Sequence, residues 1–266
     1  MNQPPFKKIL SVNLCCGTLI TPIPYFRLKK QIKLIQKWDP DVICLQEFNN
    51  IWIEYYYRHR LKSKYYFYLE RDYLRLFLNL SIYLVLILVA IHVKPAILFF
   101  LLYPYWSLFV LGSQKTGNVI LVKKTLKIKP TEFYTQYFIN QEGDFLNLVR
   151  PRGYSIIKWD EWALYNIHLN RIDGIQEQIH ELLEIINGPC IVAGDFNTSD
   201  IQTIIDSGFT HQDTGPTYLH PFSNKGEQID HIVARNMNDP YRVEKRSFES
   251  DHHALLMTFQ KTGSLM

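Results

Sequence analysis

The sequence predicts an α/β fold interrupted by a hydrophobic helical hairpin, and three observations predict it. Short apolar runs of strand character alternate with amphipathic helical stretches along most of the chain. Three acidic strings accompany those runs: Leu45-Gln46-Glu47, Gly194-Asp195-Phe196-Asn197 and Ser250-Asp251-His252. Between the first two strings, Leu76 to Gly112 carries no formal charge except at Lys94-Pro95. With 266 residues, 47% hydrophobic and 20% charged, the chain has enough apolar material for a substantial core, which excludes a disordered or fibrous protein. The net charge of +4 does not by itself select nucleic acid, because a basic surface equally suits water or anionic lipid.

From the amino terminus, Ile9 to Cys15 has the apolar content of a strand. Phe26, Ile32, Leu34, Ile35 and Trp38 recur at helical intervals among lysines, giving a helix over Tyr25 to Trp38 that Asp39-Pro40 ends. Asp41 to Gln46 is a short strand that delivers Glu47, and Phe48 to Tyr57 begins an aromatic helical segment. Strands follow at Gly117 to Lys123, Tyr154 to Lys158 and Trp162 to His168. A helix over Ile172 to Ile186 is stopped by Asn187-Gly188-Pro189. Cys190 to Ala193 is a buried strand, Ser199 to Asp206 a short helix, and Ile229 to Ala234 and Ala254 to Phe259 late strands. The four cysteines show neither zinc spacing nor a disulfide framework, and Cys44 and Cys190 fall in apolar runs, which points to a reducing compartment. Cys15-Cys16 is read as packing. Met1 to Lys8 is polar, so no apolar signal core is expected there.

Glu47, Asp195 with Asn197 two residues on, and a loop carrying Asp251 and His252 offer hard oxygen ligands and an imidazole on one rim of a sandwich. Mg²⁺, with Mn²⁺ as the alternative, suits such a set better than zinc, since it takes one or two carboxylates and keeps open positions for phosphate oxygens. Asp195 or a histidine would activate water, and Asn197 or His168 would stabilise developing charge.

At these residues the chain resembles the endonuclease/exonuclease/phosphatase superfamily. Asn13, Glu47 in Leu-Gln-Glu, His168 in Ile-His-Leu, Asp195 and Asn197 in Gly-Asp-Phe-Asn, Asp230 in Ile-Asp-His, and Asp251-His252 in Ser-Asp-His fall in that family's order. The resemblance implies a DNase I-like four-layer α-β-β-α sandwich, formed by residues 1–70 and 113–266, and the uncharged stretch marks residues 71–112 as a hydrophobic membrane-associating insertion. The resemblance further implies that Glu47 is the main Mg²⁺ ligand, with Asn13 and Asp251 beside it. Asp195 would orient or deprotonate the attacking water, Asn197 and His168 would contact the phosphate, and Asp230 would orient His252. Either Asp195 or His252 would be the base. Taken singly, Asn13, Asn197 and Asp230 read as caps or turn residues, and only the ordered set reverses this. His211, His220, His231 and His253 are read as packing residues.

Leu76 to His92 and Ala96 to Gly112 are each 17 residues long. As helices each would reach about 25 Å against a hydrocarbon core of about 30 Å. Lys94-Pro95 breaks a continuous helix, so a hairpin that returns the chain to one side is expected. Basic residues on both flanks, from Arg58 to Arg75 and at Lys115, Lys123 and Lys124, put the catalytic domain on the cytoplasmic face of a membrane. A shallow re-entrant anchor and a helical pair buried in a soluble core are the alternatives. Glu142-Gly143-Asp144-Phe145, Arg152-Gly153-Tyr154-Ser155, and the stretch with Arg171, Gln176 and Gln178 resemble the neutral sphingomyelinase branch. That branch implies hydrolysis of a membrane phospholipid headgroup in the manner of a phospholipase C. The alternatives are a nuclease or DNA-repair phosphodiesterase on the same fold, and a non-catalytic membrane scaffold. A phosphoinositide phosphatase is disfavoured because Gln228-Ile229-Asp230-His231 lacks that branch's Cys-Asp-Arg string. No protein partner is inferred.

Overall fold

Along β1 (Lys8–Asn13) successive side chains face opposite layers, so Leu10 and Val12 enter one apolar cluster while Ile9 enters another. The same alternation sorts the whole molecule. The computed structural model describes residues 4, 6–14, 25–48, 51–71, 116–141, 152–219, 225–237 and 239–260. The predicted hydrophobic hairpin over 76–112, Cys15-Cys16 and the 142–145 string lie outside the described residues. No described helix is long and apolar enough to cross a membrane.

The first sheet contains β1, β2 (Val42–Gln46), β3 (Tyr65–Tyr68), β4 (Val119–Lys123), β13 (Tyr241–Arg246) and β14 (Ala254–Phe259), in the order β13-β14-β1-β2-β4-β3. The second contains β5 (Glu132–Tyr137), β6 (Gly153–Trp159), β7 (Trp162–His168), β8 (Cys190–Asp195), β9 (Phe209–His211) and β12 (Asp230–Arg235), in the order β5-β6-β7-β8-β12-β9. A two-stranded ribbon joins β10 (Tyr218–Leu219) to β11 (Gly226–Glu227). The helices are α1 (Tyr25–Trp38), α2 (Ile51–Leu61), α3 (Ile175–Ile185) and α4 (Gln202–Asp206).

Three apolar clusters separate the layers. Leu28, Ile32 and Ile35 of α1 and Ile53, Tyr57 and Leu61 of α2 pack on Leu10, Val12, Ile43 and Leu45. Ile179 and Leu182 of α3 and Ile204 of α4 pack on Tyr165, Ile167, Val192 and Val233. Between the sheets lie Ile9, Cys44, Ile120, Leu164, Ile191, Ala193, Ile232 and Leu255. This is the expected α-β-β-α order, and at about 25 cal/mol per Å² of apolar surface its three interfaces are the main source of stability. Cys44 and Cys190 are buried free thiols.

The inter-sheet space turns polar toward one end. Gln46 Nε2 donates to Asn166 Oδ1 at 2.6 Å, while Asn166 Nδ2 donates to the carbonyls of Leu45 and Val119 at 2.9 and 3.0 Å, joining the sheets by hydrogen bonds.

The helix expected over Ile172 to Ile186 begins three residues later, because Gly174 takes a left-handed conformation with φ 73° and Asn170 Nδ2 caps the preceding loop at Asp173 O. The aromatic helix likewise begins at Ile51 and runs on to Leu61, and the short helix begins at Gln202. Strands β3, β5, β9 and β13, and the β10-β11 ribbon, carry no clear sequence signal. β3, β5, β9 and β13 are edge strands whose outer sides face water, so their patterns are broken, as in Tyr-Arg-Val-Glu-Lys-Arg of β13.

Candidate active site

Register brings the polar ends of the strands into a row. In the second sheet His168 pairs with Asp195, and Asp195 with Asp230, at one edge. In the first sheet Asn13 pairs with Gln46 at the corresponding end, one residue before Glu47. Asn13, His168, Asp195 and Asp230 share the parity of Ile9, Leu164, Ile191 and Ile232, so all face the inter-sheet space. The site therefore lies at one end of the inter-sheet space. Close packing fixes the backbone there: a Cβ on Gly194 would sit 2.1 Å from the Ile167 carbonyl oxygen, so the glycine of Gly-Asp-Phe-Asn is sterically required.

Asp195 is the hub. Buried at 1% exposure, it accepts from Asn13 Nδ2 at 2.8 Å and from the Asn197 N–H at 2.9 Å. Its Oδ2 lies 3.4 Å from His168 Nε2 and 3.9 Å from His252 Nε2. Burial pushes its carboxyl up to about 6; the positive field of His252 opposes the rise, and Asp230 adds to it. Asn13 Nδ2 also approaches Glu47 Oε1 at 3.5 Å. Glu47 follows β2 with φ 55°, a left-handed turn that carries its side chain out of the strand's alternation. Asn197, also left-handed at φ 52°, donates its amide to Leu169 O at 2.9 Å.

His252 and Asp230 form a buried pair, Nδ1 to Oδ2 at 2.9 Å. Burial alone would lower the imidazole's proton affinity. The charge and hydrogen bond of Asp230, with Asp195 and Asp251 behind them, overcome that and raise it to about 10. Asp230 is placed in turn by Thr217 Oγ1, which accepts its N–H at 3.0 Å. Asp251 accepts from Ser250 Oγ at 3.1 Å.

The structure thus brings together Asn13, Glu47, His168, Asp195, Asn197, Asp230 and His252 in one contact network, with Asp251 adjoining His252 in sequence. Asp195, Asp230 and His252 offer ligand atoms within 4.8 Å of one another. A neutral His252 could join the two carboxylates in holding a metal, whereas a protonated one has no lone pair for it and would leave the trio as an acid–base set. The oxygen donors of Glu47, Asn13 and Asp251 are the better match to a hard divalent cation. The surrounding charge favours one as well: the carboxylates of Glu47, Asp195, Asp230 and Asp251 outnumber the cationic groups of His252 and Arg152, and Asp230 Oδ1 is buried without a hydrogen-bond partner.

Three residues of the site were given no site role in the sequence, although Arg152 opens the Arg152-Gly153-Tyr154-Ser155 string. Arg152 contacts both ring nitrogens of His168, with Nη1 2.9 Å from Nδ1. Thr217 anchors Asp230, and Tyr218 forms a bridge to His252 with ring centroids 4.9 Å apart. Thr217 and Tyr218 lie in the segment between Gly208 and Glu227, where the sequence offers only a Gly-Pro turn signal.

The sequence matches the Endonuclease/Exonuclease/phosphatase family over residues 23–252. No curated protein matches it by sequence. Among solved structures, a humanized D. rerio TDP2 with 14 mutations is similar at a TM-score of 0.63 and 16% identity, covering 97% of this chain and 100% of that one. D. rerio TDP2 complexed with single strand DNA product is similar at 0.62 and 15% identity, covering 96% and 99%. The beta toxin 275-280 from Staphylococcus aureus is similar at 0.62 and 13% identity, covering 96% and 100%. At these identities the likeness is one of fold.

Proposed function

The chain belongs to the endonuclease/exonuclease/phosphatase family, and from that premise we propose that it is a Mg²⁺-dependent phosphodiesterase acting on the headgroup of a membrane phospholipid, in the manner of a phospholipase C. The hydrolytic half rests on one observation: two groups of opposite acid–base character, Asp195 and the Asp230–His252 pair, converge on one buried rim. Asp195, pushed up to about 6 yet ionised at neutral pH, takes the proton of the attacking water. His252, held as imidazolium by Asp230, donates to the developing charge and to the leaving oxygen. Asn197 and His168 contact the phosphate, Arg152 adds positive charge beside His168, and Asn13 orients Asp195. A divalent cation held by Glu47, with Asn13 and Asp251 beside it, would neutralise phosphate oxygens and make the water more acidic.

The lipid half is supported by where the uncharged stretch joins the fold. Leu45 pairs with Val119, Tyr68 with Ile120, and Phe48 N–H donates to Gly117 O at 2.8 Å. The described chain therefore stops at Arg71 and resumes at Thr116 on the same end of the sheet as Glu47. Insertion of residues 76–112 into a membrane would hold the rim at the lipid surface, on the cytoplasmic side by the basic flanks. A second reading, hydrolysis of a polynucleotide phosphodiester, is favoured by the likeness to TDP2 with its single strand DNA product.

Detergent-solubilised full-length protein with Mg²⁺, assayed against sphingomyelin, lysolipids, phosphoinositides and single-stranded DNA, separates these readings. Release of a phosphorylated headgroup supports the first. Cleavage confined to DNA refutes it.

A further inference from the structure

Two histidines that read as packing residues, His211 and His231, form a hydrogen-bonded pair immediately behind the rim. Alternation along β12 explains the position: Asp230 and Ile232 face the inter-sheet space, so His231 faces the outer layer, edge-on to Phe196 with centroids 5.1 Å apart. His231 Nε2 lies 2.9 Å from the Thr198 carbonyl oxygen, and Nδ1 lies 3.2 Å from His211 Nε2. A carbonyl only accepts, so His231 Nε2 carries the proton. In a neutral ring Nδ1 is then an acceptor, and His211 donates to it through Nε2. Burial keeps His231 neutral at ordinary pH, pushing it down to about 4. Gln228 Nε2, 3.4 Å from that same His211 nitrogen, is left to donate to Thr214 Oγ1 at 3.3 Å. One direction satisfies the set: His211 to His231 to Thr198.

The segment so tied carries Asn197. Its φ of 52° is left-handed, a conformation that asparagine enters more readily than other non-glycine residues and that ties on either side select here. Before it, the Phe196 N–H donates to Ile229 O at 2.8 Å and its own N–H to Asp195 Oδ1. After it, the His231 bond to Thr198 is the corresponding tie from the outer layer.

We propose that His231, backed by His211, is a positioning residue that fixes Asn197 for phosphate contact. The inference rests on the hydrolytic reading of the rim. Its test compares His231→Phe, which keeps a ring and removes both hydrogen bonds, with His231→Gln, whose side-chain amide returns a donor toward Thr198. With a soluble aryl phosphodiester and Mg²⁺, the Phe variant is expected to lose about 10- to 100-fold in kcat with little change in KM, the cost of a misplaced contact. The Gln variant is expected to recover most of it. Equal activity of the two variants overturns the proposal, since a packing role favours Phe. Amide hydrogen exchange at Asn197, read by NMR, reports the tie without turnover: faster exchange in the Phe variant and restoration in the Gln variant support it, and unchanged exchange overturns it. If the unmodified protein hydrolyses no phosphodiester while exchange responds as expected, the tie stands and the hydrolytic reading fails.

Discussion

Replacing Asp230 by Asn removes one charge and leaves the shape of the site nearly intact. His252 Nδ1 then loses the carboxylate at 2.9 Å that offsets its burial. Without that partner its proton affinity falls from about 10 toward the ordinary 6.5, with only the fields of Asp195 and Asp251 left to oppose burial. At pH 8 a histidine at the ordinary value is about 3% protonated, so the loss of imidazolium alone costs up to about 30-fold. Asn also misorients the ring or selects the wrong tautomer, and loss of a positioned proton donor costs about 10²- to 10⁴-fold. We expect kcat/KM of Asp230→Asn on a soluble aryl phosphodiester to fall at least 30-fold at pH 8. The alkaline limb of its pH profile should move to lower pH, and part of the activity should return near pH 6. Thermal denaturation serves as the control for folding. Activity within threefold of the unmodified protein at pH 8, with the alkaline limb unmoved, would refute the acid role of His252.

The other predictions concern stability and the cation. Asn166→Ala leaves Gln46 Nε2 with its longer bond to Ser11 Oγ, removes the side-chain donor from the carbonyls of Leu45 and Val119 between the sheets, and should cost about 3 kcal/mol in urea denaturation. His231 is held below its ordinary 6.5, at about 4, so below pH 6.5 the unfolded chain takes up a proton that the folded chain refuses. Stability present above pH 6.5 should drop by about 3 kcal/mol as pH falls to 4, each tenfold change in proton affinity being worth about 1.4 kcal/mol. His231→Phe should flatten that slope. Chelation should abolish turnover with Mg²⁺ restoring it, and Glu47→Gln should raise the Mg²⁺ concentration for half-activation about tenfold or more, read by titration of activity.

Where the sequence was legible, strand parity and tight packing left a mark on residue type. Buried strands such as β2, β8 and β14 are largely apolar runs, β7 is broken inside its span only at Asn166, and the site residues sit at or just beyond strand ends. The Gly194 requirement shows why a Gly-Asp string is informative: the glycine answers to Ile167 and the aspartate to the rim. Edge strands were illegible because half of each faces water. Thr217 and Arg152 were missed as site residues for a different reason. Each acts through side-chain bonds to residues distant along the chain, Thr217 Oγ1 with the N–H groups of Ile229 and Asp230 and Arg152 with His168, and nothing local in sequence marks such bonds. The division of labour between Asp195 and His252 was also open in the sequence, because proton affinity depends on burial and neighbours that only the fold supplies.

The most direct test of the account is hydrolysis of a soluble aryl phosphodiester in Mg²⁺ by the unmodified protein, Asp195→Asn and His252→Ala, each confirmed folded by its melting profile. The account predicts turnover by the first and a loss of at least about 100-fold in each variant. Turnover retained in both variants would contradict it.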